Sequence, residues 1–235
     1  RPILGSMSAA RLSIAVAASE EEDTSLRDDV LAGLFGSEKI LPPRHFYDAR
    51  GSDLFDAICD TPEYYPTRTE TGILSQYAVE IADHVGPHAT VVEYGAGASV
   101  KTRILIDALE KVSTYIPVDI SAEFLQTSAA SLQKDYPNLD IEPVVADFLS
   151  TVDLPEKSAE GARVGFFPGS TIGNLESSEI TDFMQRARKD LGAGAQFVLG
   201  GRIMKKKFED LCDGLQFGDG WVLDYAGGTG RSRPF

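Results

Sequence analysis

The chain has 235 residues, 43% of them hydrophobic, and its 22 Lys and Arg against 36 Asp and Glu give a formal net charge of −14. This apolar content is enough to bury a core and argues against disorder, while the negative charge opposes the attraction to phosphate backbones that nucleic-acid binders use. Cys59 and Cys212 lie in no metal-ligand spacing, are too few for a disulfide framework, and fit a reducing cytoplasm. We therefore expect a small-molecule or cationic partner and no nucleic acid.

The first residues of the chain contribute little to the predicted fold. Residues 1–7, with the sequence RPILGSM, are typical of an expression scar before a start at Met7. The apolar run 12–18 is too short to cross a membrane and precedes the acidic cluster 20–23 rather than a cleavage site. We therefore expect neither export nor membrane association.

Residues 8–69 form a predicted N-terminal helical segment that ends in a loop. Apolar side chains recur at helical spacing over residues 25–35, and a shorter helix is predicted over residues 52–59. Residues 61–69, with the sequence TPEYYPTRT, place prolines around two adjacent tyrosines and predict a rigid loop. Packing within that loop is the simplest role for both tyrosines.

Residues 70–200 alternate between helices and short apolar or β-branched strands. The predicted strands are 90–94, 114–118, 141–146, 163–167 and 196–199. The predicted helices are 70–85, 101–111, 122–136 and 178–191. Short apolar strands separated by helices are typical of the doubly wound α/β class, a mostly parallel sheet with helices on both faces.

A glycine-rich turn follows the first of these strands. The pattern E-x-G-x-G-x-S places Gly95 and Gly97 between the strand and a helix that begins near Lys101. Glycine allows close backbone approach to a ligand, and a helix N-terminus favours an anionic group such as a carboxylate. A plain structural turn is the alternative. The third glycine of the dinucleotide fingerprint G-x-G-x-x-G is absent, which disfavours a nicotinamide-dependent oxidoreductase.

Acidic residues follow the next two strands. Asp119 lies 24 residues after Gly95, near the ~20-residue spacing at which a carboxylate accepts ribose hydroxyls, although it could instead cap the helix at Ser121. Asp147 could accept the adenine amino hydrogen while Phe148 packs on the base, and an ordinary turn is the alternative. Ligands of open α/β sheets bind at the strand carboxyl ends, so together these elements predict binding of S-adenosylmethionine.

The loop after the fourth strand and the histidines complete the candidate residues. Small residues within 166–175, with the sequence FFPGSTIGNL, leave space beside a methyl donor. Asn174 offers an amide donor and acceptor to a polar substrate, or else caps a helix. His45, His84 and His88 form no ligand pattern with acids, so we expect no metal.

Five segments of the chain resemble, in order and spacing, the histidine Nα-methyltransferase family of ergothioneine biosynthesis. They are LPPRHFYDARGSDLFDAICDTPEYYPTRTE, VVEYGAGASVKTRILIDAL, YIPVDIS, VVADF and GSTIGNL. The resemblance runs from about residue 31 to residue 199. It implies a Rossmann-like class I methyltransferase fold, S-adenosylmethionine as donor, and stepwise methylation of the α-amino group of histidine to the trimethylated betaine.

The resemblance also implies roles for individual residues, and on the donor side these agree with the predictions made above from the residues alone. The donor-binding positions are Gly95, Gly97, Lys101, Asp119, Asp147 and Phe148. On the acceptor side, Tyr64 matches the position that holds the histidine imidazole, Asn174 the one that fixes the polar end of the amino acid, and Tyr47 lines the pocket. No catalytic residue is assigned, because an amine that has lost its proton needs no strong general base.

The sequence departs from the family after Leu199. The family continues with a further substrate-binding tyrosine and then with a portion that supplies an acid and a serine to the histidine. Residues 201–235 are interpreted as a divergent or truncated tail, with too few residues for the two further strands usual in such sheets and a substrate cap. Two functions stay open: a histidine methyltransferase, or a non-catalytic binder of S-adenosylmethionine or S-adenosylhomocysteine. Apolar surface left exposed would favour self-association.

Overall fold

The computed structural model describes residues 15–16, 25–46, 49–97, 99–155, 161–201, 221–224 and 231–234. The strands are β1 (Ala15–Val16), β2 (Thr90–Tyr94), β3 (Thr114–Asp119), β4 (Asp140–Ile141), β5 (Val144–Val145), β6 (Arg163–Phe167), β7 (Gln196–Gly201), β8 (Trp221–Asp224) and β9 (Arg231–Pro234). The α-helices are α1 (Ser25–Leu34), α2 (Ala49–Cys59), α3 (Tyr65–Val85), α4 (Val100–Ala108), α5 (Ala122–Asp135) and α6 (Ser177–Leu191). Short 3-10 helices cover Pro43–Phe46 and Thr171–Asn174.

The strands form one mostly parallel sheet. Their order is β1-β5-β3-β2-β6-β7-β8-β9, with β4 also paired to β3. Among the described strands, the β8–β9 pair is antiparallel and the others are parallel. From β2 the chain builds β3 and β5 to one side and then crosses to β6 and β7 on the other. The predicted doubly wound α/β architecture is confirmed, and its topological switch point lies between β2 and β6, where such sheets bind ligands.

The two faces of the sheet carry separate hydrophobic cores. In β2, Val91 belongs to the core that α3, α4 and α5 cover, whereas Val92 and Tyr94 belong to the core that α6 covers. Side chains along a strand alternate between the two faces, so a strand that is apolar throughout needs helices on both sides. This is why β2 is buried along its whole length.

Helix α3 begins inside the predicted rigid loop 61–69, so that prediction is wrong for the second half of the segment. Pro66 lies in the first turn of the helix, where a backbone N–H would have no helical partner, and proline is therefore tolerated. Arg68 donates to the carbonyl oxygens of Thr61 and Pro62 at 2.7 and 2.6 Å. These bonds close the turn that leads from α2 into α3.

Two strand predictions are also corrected. The predicted strand 141–146 is divided into β4 and β5, and Pro143, which cannot donate to a strand ladder, lies between them. In the tail, β8 extends the sheet beside β7, and β9 pairs antiparallel to β8. Residues 201–235 therefore do supply two further strands, and the expectation that they cannot also supply a substrate cap stays a prediction.

Candidate functional site

The predicted donor-site segments follow neighbouring strands and meet at the carboxyl edge of the sheet. The backbone N–H of Gly95, after β2, donates to the carbonyl of Val118 in β3 at 2.9 Å. The N–H of Ala146, after β5, donates to the carbonyl of Asp119 at 3.0 Å. A methyl group built on Gly95 would lie 3.7 Å from Cε1 of Phe148. The structure thus brings the glycine turn, the first acid and the Asp-Phe pair together.

The glycine-rich turn is held by serines and leaves open space at Gly97. Gly95 has a φ of +70°, in the left-handed region that glycine adopts at least cost. The hydroxyl groups of Ser99 and Ser128 lie 2.7 Å apart and donate to the Gly97 carbonyl at 3.3 and 3.1 Å. A side chain on Gly97 would meet no atom within 4 Å. A ligand can therefore approach this backbone closely.

Asp119 lies at the end of β3 and is only partly exposed. Its Oδ1 accepts a hydrogen bond from the backbone N–H of Ser121 at 2.8 Å, which closes a turn ahead of α5. The N-cap of α5 is Ser121 and not Asp119, so the capping role for Asp119 is wrong. Burial raises the pKa of the Asp119 carboxyl. A carboxylate has about four acceptor sites, so the hydrogen bond to Ser121 leaves capacity for ribose hydroxyls.

Asp147 and Phe148 also serve the fold. Oδ1 of Asp147 accepts from the backbone N–H of Leu149 at 2.8 Å, as aspartate does in turns. The ring of Phe148 is partly buried, and its centroid lies 5.2 Å from that of Phe167 and 5.9 Å from that of Phe183. Phe148 therefore joins the aromatic core to the glycine turn and leaves part of its surface to the site.

Lys101 pairs with an acid that the sequence analysis missed. Its Nζ lies 2.6 Å from Oε2 of Glu70 in α3, and the Glu70 residue is buried. Oε1 of the same carboxylate accepts from the backbone N–H of Gly169 at 2.8 Å. In the sequence Glu70 marked only the start of a predicted helix. Its partners lie 31 and 99 residues away, so no local spacing could have indicated them.

A second buried acid, Glu93, lies in β2 just before the turn. The hydroxyl groups of Thr102 in α4 and Tyr115 in β3 both donate to its Oε2 at 2.6 Å. Burial raises the pKa of Glu93 from 4.5 to about 7, against the opposing effect of these two hydrogen bonds. Glu93 thus links two strands and the helix that carries Lys101, and it does so from within the core.

Tyr64, the first predicted acceptor-site residue, directly precedes α3. Its ring packs edge-to-face against Phe55 of α2, with centroids 6.0 Å apart, so the packing role considered for it is present. Its side chain is only partly buried. Tyr47, the other tyrosine proposed for this side, lies outside the described residues.

Asn174 ends the 3-10 helix in the loop after β6, and its side chain is exposed. A capping role for it at the following helix is wrong. The cap of α6 is a capping box in which the Glu179 carboxylate accepts from the backbone N–H of Glu176 at 2.8 Å. The amide of Asn174 is therefore not required by α6.

Two of the three histidines have hydrogen-bond partners for their rings. Nε2 of His45 lies 2.6 Å from Oδ2 of Asp29, and Nδ1 of His84 lies 2.8 Å from the carbonyl oxygen of Glu80. Within the described ranges, no three His, Cys, Asp or Glu side chains are grouped closely enough to hold a metal ion. A metal-ligating role is therefore not proposed for either histidine.

Comparison with known proteins gives a family match over most of the chain. A family model described as "Histidine-specific methyltransferase, SAM-dependent" matches residues 26–211. These residues include every donor-side and acceptor-side position named above, and they extend beyond the segments that carry the resemblance.

Similar proteins are longer than this chain. It is 41% identical over 191 residues to histidine N-alpha-methyltransferase of Mycolicibacterium smegmatis, covering 80% of this chain and 59% of the relative. It is 39% identical over 184 residues to the protein of the same name from Mycobacterium tuberculosis, covering 77% and 56%. It is 28% identical over 188 residues to 4-dimethylallyltryptophan N-methyltransferase of Claviceps purpurea, covering 75% and 54%. The chain thus spans less than two thirds of the length of these curated relatives.

Proposed function

Because the chain belongs to the family of histidine-specific, S-adenosylmethionine-dependent methyltransferases, we propose that it transfers methyl groups from S-adenosylmethionine to the α-amino nitrogen of histidine. The observation that supports this most directly is the convergence of the segments after β2, β3 and β5 at one sheet edge. Those segments are also the ones that resemble the family. The proposal includes stepwise transfer to the trimethylated betaine, as a step of ergothioneine biosynthesis.

The donor side has residues whose chemistry fits S-adenosylmethionine. The residues that would hold it are Gly95, Gly97, Lys101, Asp119, Asp147 and Phe148. The open space at Gly97 admits the amino-acid end of the donor, and the Lys101 ammonium complements its carboxylate. Asp119 would accept the ribose hydroxyls. When bound, the donor supplies a methyl group on a positively charged sulfur.

The acceptor side would be formed by Tyr64, Asn174 and Tyr47. A phenol hydroxyl can donate to or accept from an imidazole nitrogen, which suits Tyr64 to a histidine side chain. The exposed amide of Asn174 can donate to a carboxylate and accept from an amine at the same time. Tyr64 directly precedes α3, which carries Glu70, and Asn174 lies in the β6 loop, whose Gly169 N–H donates to the Glu70 carboxylate.

The main contribution of the protein to this reaction would be to align the amine of histidine with the methyl group of the donor. The histidine ammonium first loses a proton to water or to a nearby carboxylate or phenol, and the free amine then attacks the methyl carbon. The N–C bond forms as the S–C bond breaks, and the positive charge passes from sulfur to nitrogen. Alignment of two bound reactants can supply up to ~7–11 kcal/mol of the barrier. Each further methylation requires the release of another proton.

A second candidate function is binding of S-adenosylmethionine or S-adenosylhomocysteine without transfer. The observation that favours it is the convergence of the donor-side segments at one sheet edge, because donor binding requires this convergence and does not by itself require an acceptor. In that case the donor-side residues would bind the ligand as proposed, and the acceptor-side residues would take part in no methyl transfer.

The proposed partner is histidine or another amino acid, and neither nucleic acid nor a membrane surface. The formal charge of −14 opposes binding to phosphate-rich surfaces. No helix within the described part of the chain combines the length and apolar composition that a membrane crossing requires. We retain a cytoplasmic location, suggested by the two cysteines, and self-association as parts of the proposal.

The test is mass spectrometry of products after incubation of the protein with S-adenosylmethionine and all twenty amino acids. Methylated histidine, increasing with time and protein concentration, is the expected result. Methylation of tryptophan but not histidine would contradict the histidine assignment and keep the reaction type. Tight binding of S-adenosylhomocysteine with no methylated product would favour the binding-only function.

A further inference from the structure

Glu70 is a buried acid whose carboxylate joins three segments of the site. It lies in α3 and is 1% exposed. Its Oε2 lies 2.6 Å from Nζ of Lys101 in α4, and its Oε1 accepts from the N–H of Gly169 after β6 at 2.8 Å. A buried carboxylate is tolerated only when its oxygens are paired, and here both oxygens have a donor.

Glycines beside this carboxylate leave the space it needs. A methyl group on Gly200 in β7 would overlap Oε1 of Glu70. One on Gly169 would lie 3.7 Å from Nζ of Lys101, at a residue whose φ of +88° also favours glycine. The N–H of Ser170 donates to the carbonyl of Gly200 at 3.1 Å, so the β6 loop is fixed to β7 next to Glu70.

We propose that Glu70 is a positioning residue that holds the Lys101 ammonium at the donor side and the loop from Gly169 to Asn174 at the acceptor side. The inference rests on the proposed function, because it takes Lys101 as a donor contact and Asn174 as an acceptor contact. Glu70 belongs to the helix that follows Tyr64, so one carboxylate ties this helix to both sides of the site. It is not a catalytic residue, since both of its oxygens are engaged within the protein.

Removing the charge of Glu70 should weaken donor binding rather than strengthen it. The Lys101 side chain is only 16% exposed, and without the Glu70 carboxylate its ammonium loses the partner that holds it in this position and can turn toward water. It then no longer presents its charge to the donor carboxylate.

The first test compares Glu70→Gln with the wild-type chain by calorimetric titration with S-adenosylhomocysteine. Glutamine keeps an acceptor for the N–H of Gly169 and loses the charge that Lys101 needs. We expect an affinity loss of roughly tenfold or more. Glu80→Gln, the same change at an exposed position of α3, should leave the affinity unchanged. Unchanged or tighter binding by Glu70→Gln would overturn the inference.

A double-mutant cycle separates positioning from general structural damage. Lys101→Met should weaken binding, and adding Glu70→Gln to it should cause little further loss, because Glu70 acts through Lys101. If Glu70 only stabilises the fold, Glu70→Gln will lower affinity by the same factor in both backgrounds and lower the thermal midpoint, which overturns the inference. Should Glu70→Gln not fold, Gly200→Ala keeps the charge and displaces the carboxylate, and the same affinity loss is expected.

The outcomes also distinguish this inference from the proposed function. If the wild-type chain binds S-adenosylhomocysteine and methylates no amino acid, the proposed methyl transfer is wrong. The double-mutant cycle of Glu70 and Lys101 can still be measured in that case, and its result supports or overturns the inference. If the wild-type chain binds no S-adenosylhomocysteine, both are overturned, since Lys101 would then have no donor to contact.

Discussion

The sheet domain, from α3 to β7, and the N-terminal helices before it bury their apolar side chains to very different extents. In the sheet domain Phe183 is 1% exposed and Leu132 is fully buried, whereas Phe35 and Phe46 in the N-terminal segment are 77% and 62% exposed. The donor side is therefore fixed by contacts among the described residues. The N-terminal segment, which leads to the acceptor-side Tyr64, turns much of its apolar surface to solvent.

This difference indicates that the donor-side residues and the N-terminal helices are held in place by different kinds of contact. The donor side rests on buried acids, Glu70 and Glu93, whose partners come from several elements. Such networks hold one geometry, because any member left unpaired in the core is costly. The N-terminal helices have local restraints such as the His45–Asp29 pair. We therefore expect substitutions on the donor side to change stability or ligand affinity more than substitutions in the N-terminal helices do.

The largest expected effect is on stability, and it comes from a pair of phenylalanine truncations. Phe183→Ala removes a ring that packs within 5.0 Å, centroid to centroid, of Phe167 and contacts Tyr94 and Phe197 as well. We expect it to lower the free energy of unfolding by roughly 3–5 kcal/mol. Phe35→Ala removes an exposed ring and should change it by about 0.5 kcal/mol or less. Urea titration of both variants measures the difference.

If both variants lose a similar free energy of unfolding, the contrast between the two regions is wrong, because Phe35 would then be buried in solution. Equal m-values for the two variants and the wild-type chain are the control, since a changed slope indicates that the surface exposed on unfolding has changed.

The donor side could be predicted from sequence where its signals are local. Gly95, Asp119 and Asp147 each follow an apolar strand, and the carboxyl ends of parallel strands meet at one edge, so their proximity follows from the fold class. Pairing of residues far apart in sequence could not be predicted in this way. Glu70 and Gly169 are in contact only because α3 packs beside the β6 loop, and no hydrophobic periodicity or motif spacing in the sequence predicts that contact.

The corrections have similar physical reasons. The early start of α3 depends on Pro66, which terminates a helix when it lies inside one and suits the first turn equally well. The strands β8 and β9 carry short, glycine-flanked sequences with little period of their own, and they are ordered by pairing with β7 and with each other. The roles of Tyr64 and Asn174 toward histidine stay predictions, because their described contacts are those of the fold.

A second prediction concerns the buried charge of Glu93. Its pKa of about 7 in the folded chain exceeds the ordinary 4.5, so the folded state holds a proton that the unfolded chain has released. The stability from this group is fully present below 4.5 and is lost as the pH rises through 7. Between pH ~8 and ~5.5 the wild-type chain should therefore gain on the order of 2 kcal/mol from this group.

Glu93→Gln removes this dependence and keeps an oxygen that can accept from Thr102 and Tyr115. The variant should be more stable than the wild-type chain at the higher pH, and the two should converge as the pH falls. Urea midpoints measured at both pH values for both proteins give the comparison, and other titrating groups cancel between them. A constant difference in stability across this range would show that Glu93 does not titrate there.

A third prediction separates the two roles of Asp119. Asp119→Asn keeps an oxygen for the N–H of Ser121 and removes the charge available to ribose hydroxyls, so S-adenosylhomocysteine affinity should fall roughly tenfold with little loss of stability. Asp119→Ala removes both and, through loss of the hydrogen bond to Ser121, should also cost about 1 kcal/mol of stability. Because burial raises the pKa of Asp119, wild-type affinity should decline with falling pH earlier than an ordinary aspartate would cause. Unchanged affinity in both variants would leave Asp119 with its turn hydrogen bond to Ser121 alone.

The smallest expected effect is weak self-association through the exposed apolar side chains of the N-terminal segment. Phe35, Phe46 and Leu54 are more than half exposed, and such surface favours contact with a second apolar surface. The formal charge of −14 opposes it, so association should increase when salt screens the repulsion beyond a Debye length of ~10 Å at 0.1 M. Sedimentation velocity at low and high salt should show a larger mean mass at high salt, which Phe35→Ser combined with Phe46→Ser reduces. A single monomeric species at every protein and salt concentration would mean that this exposed surface does not bind a second copy of the chain. The difference in apolar exposure between the N-terminal segment and the sheet domain would then affect stability and not association.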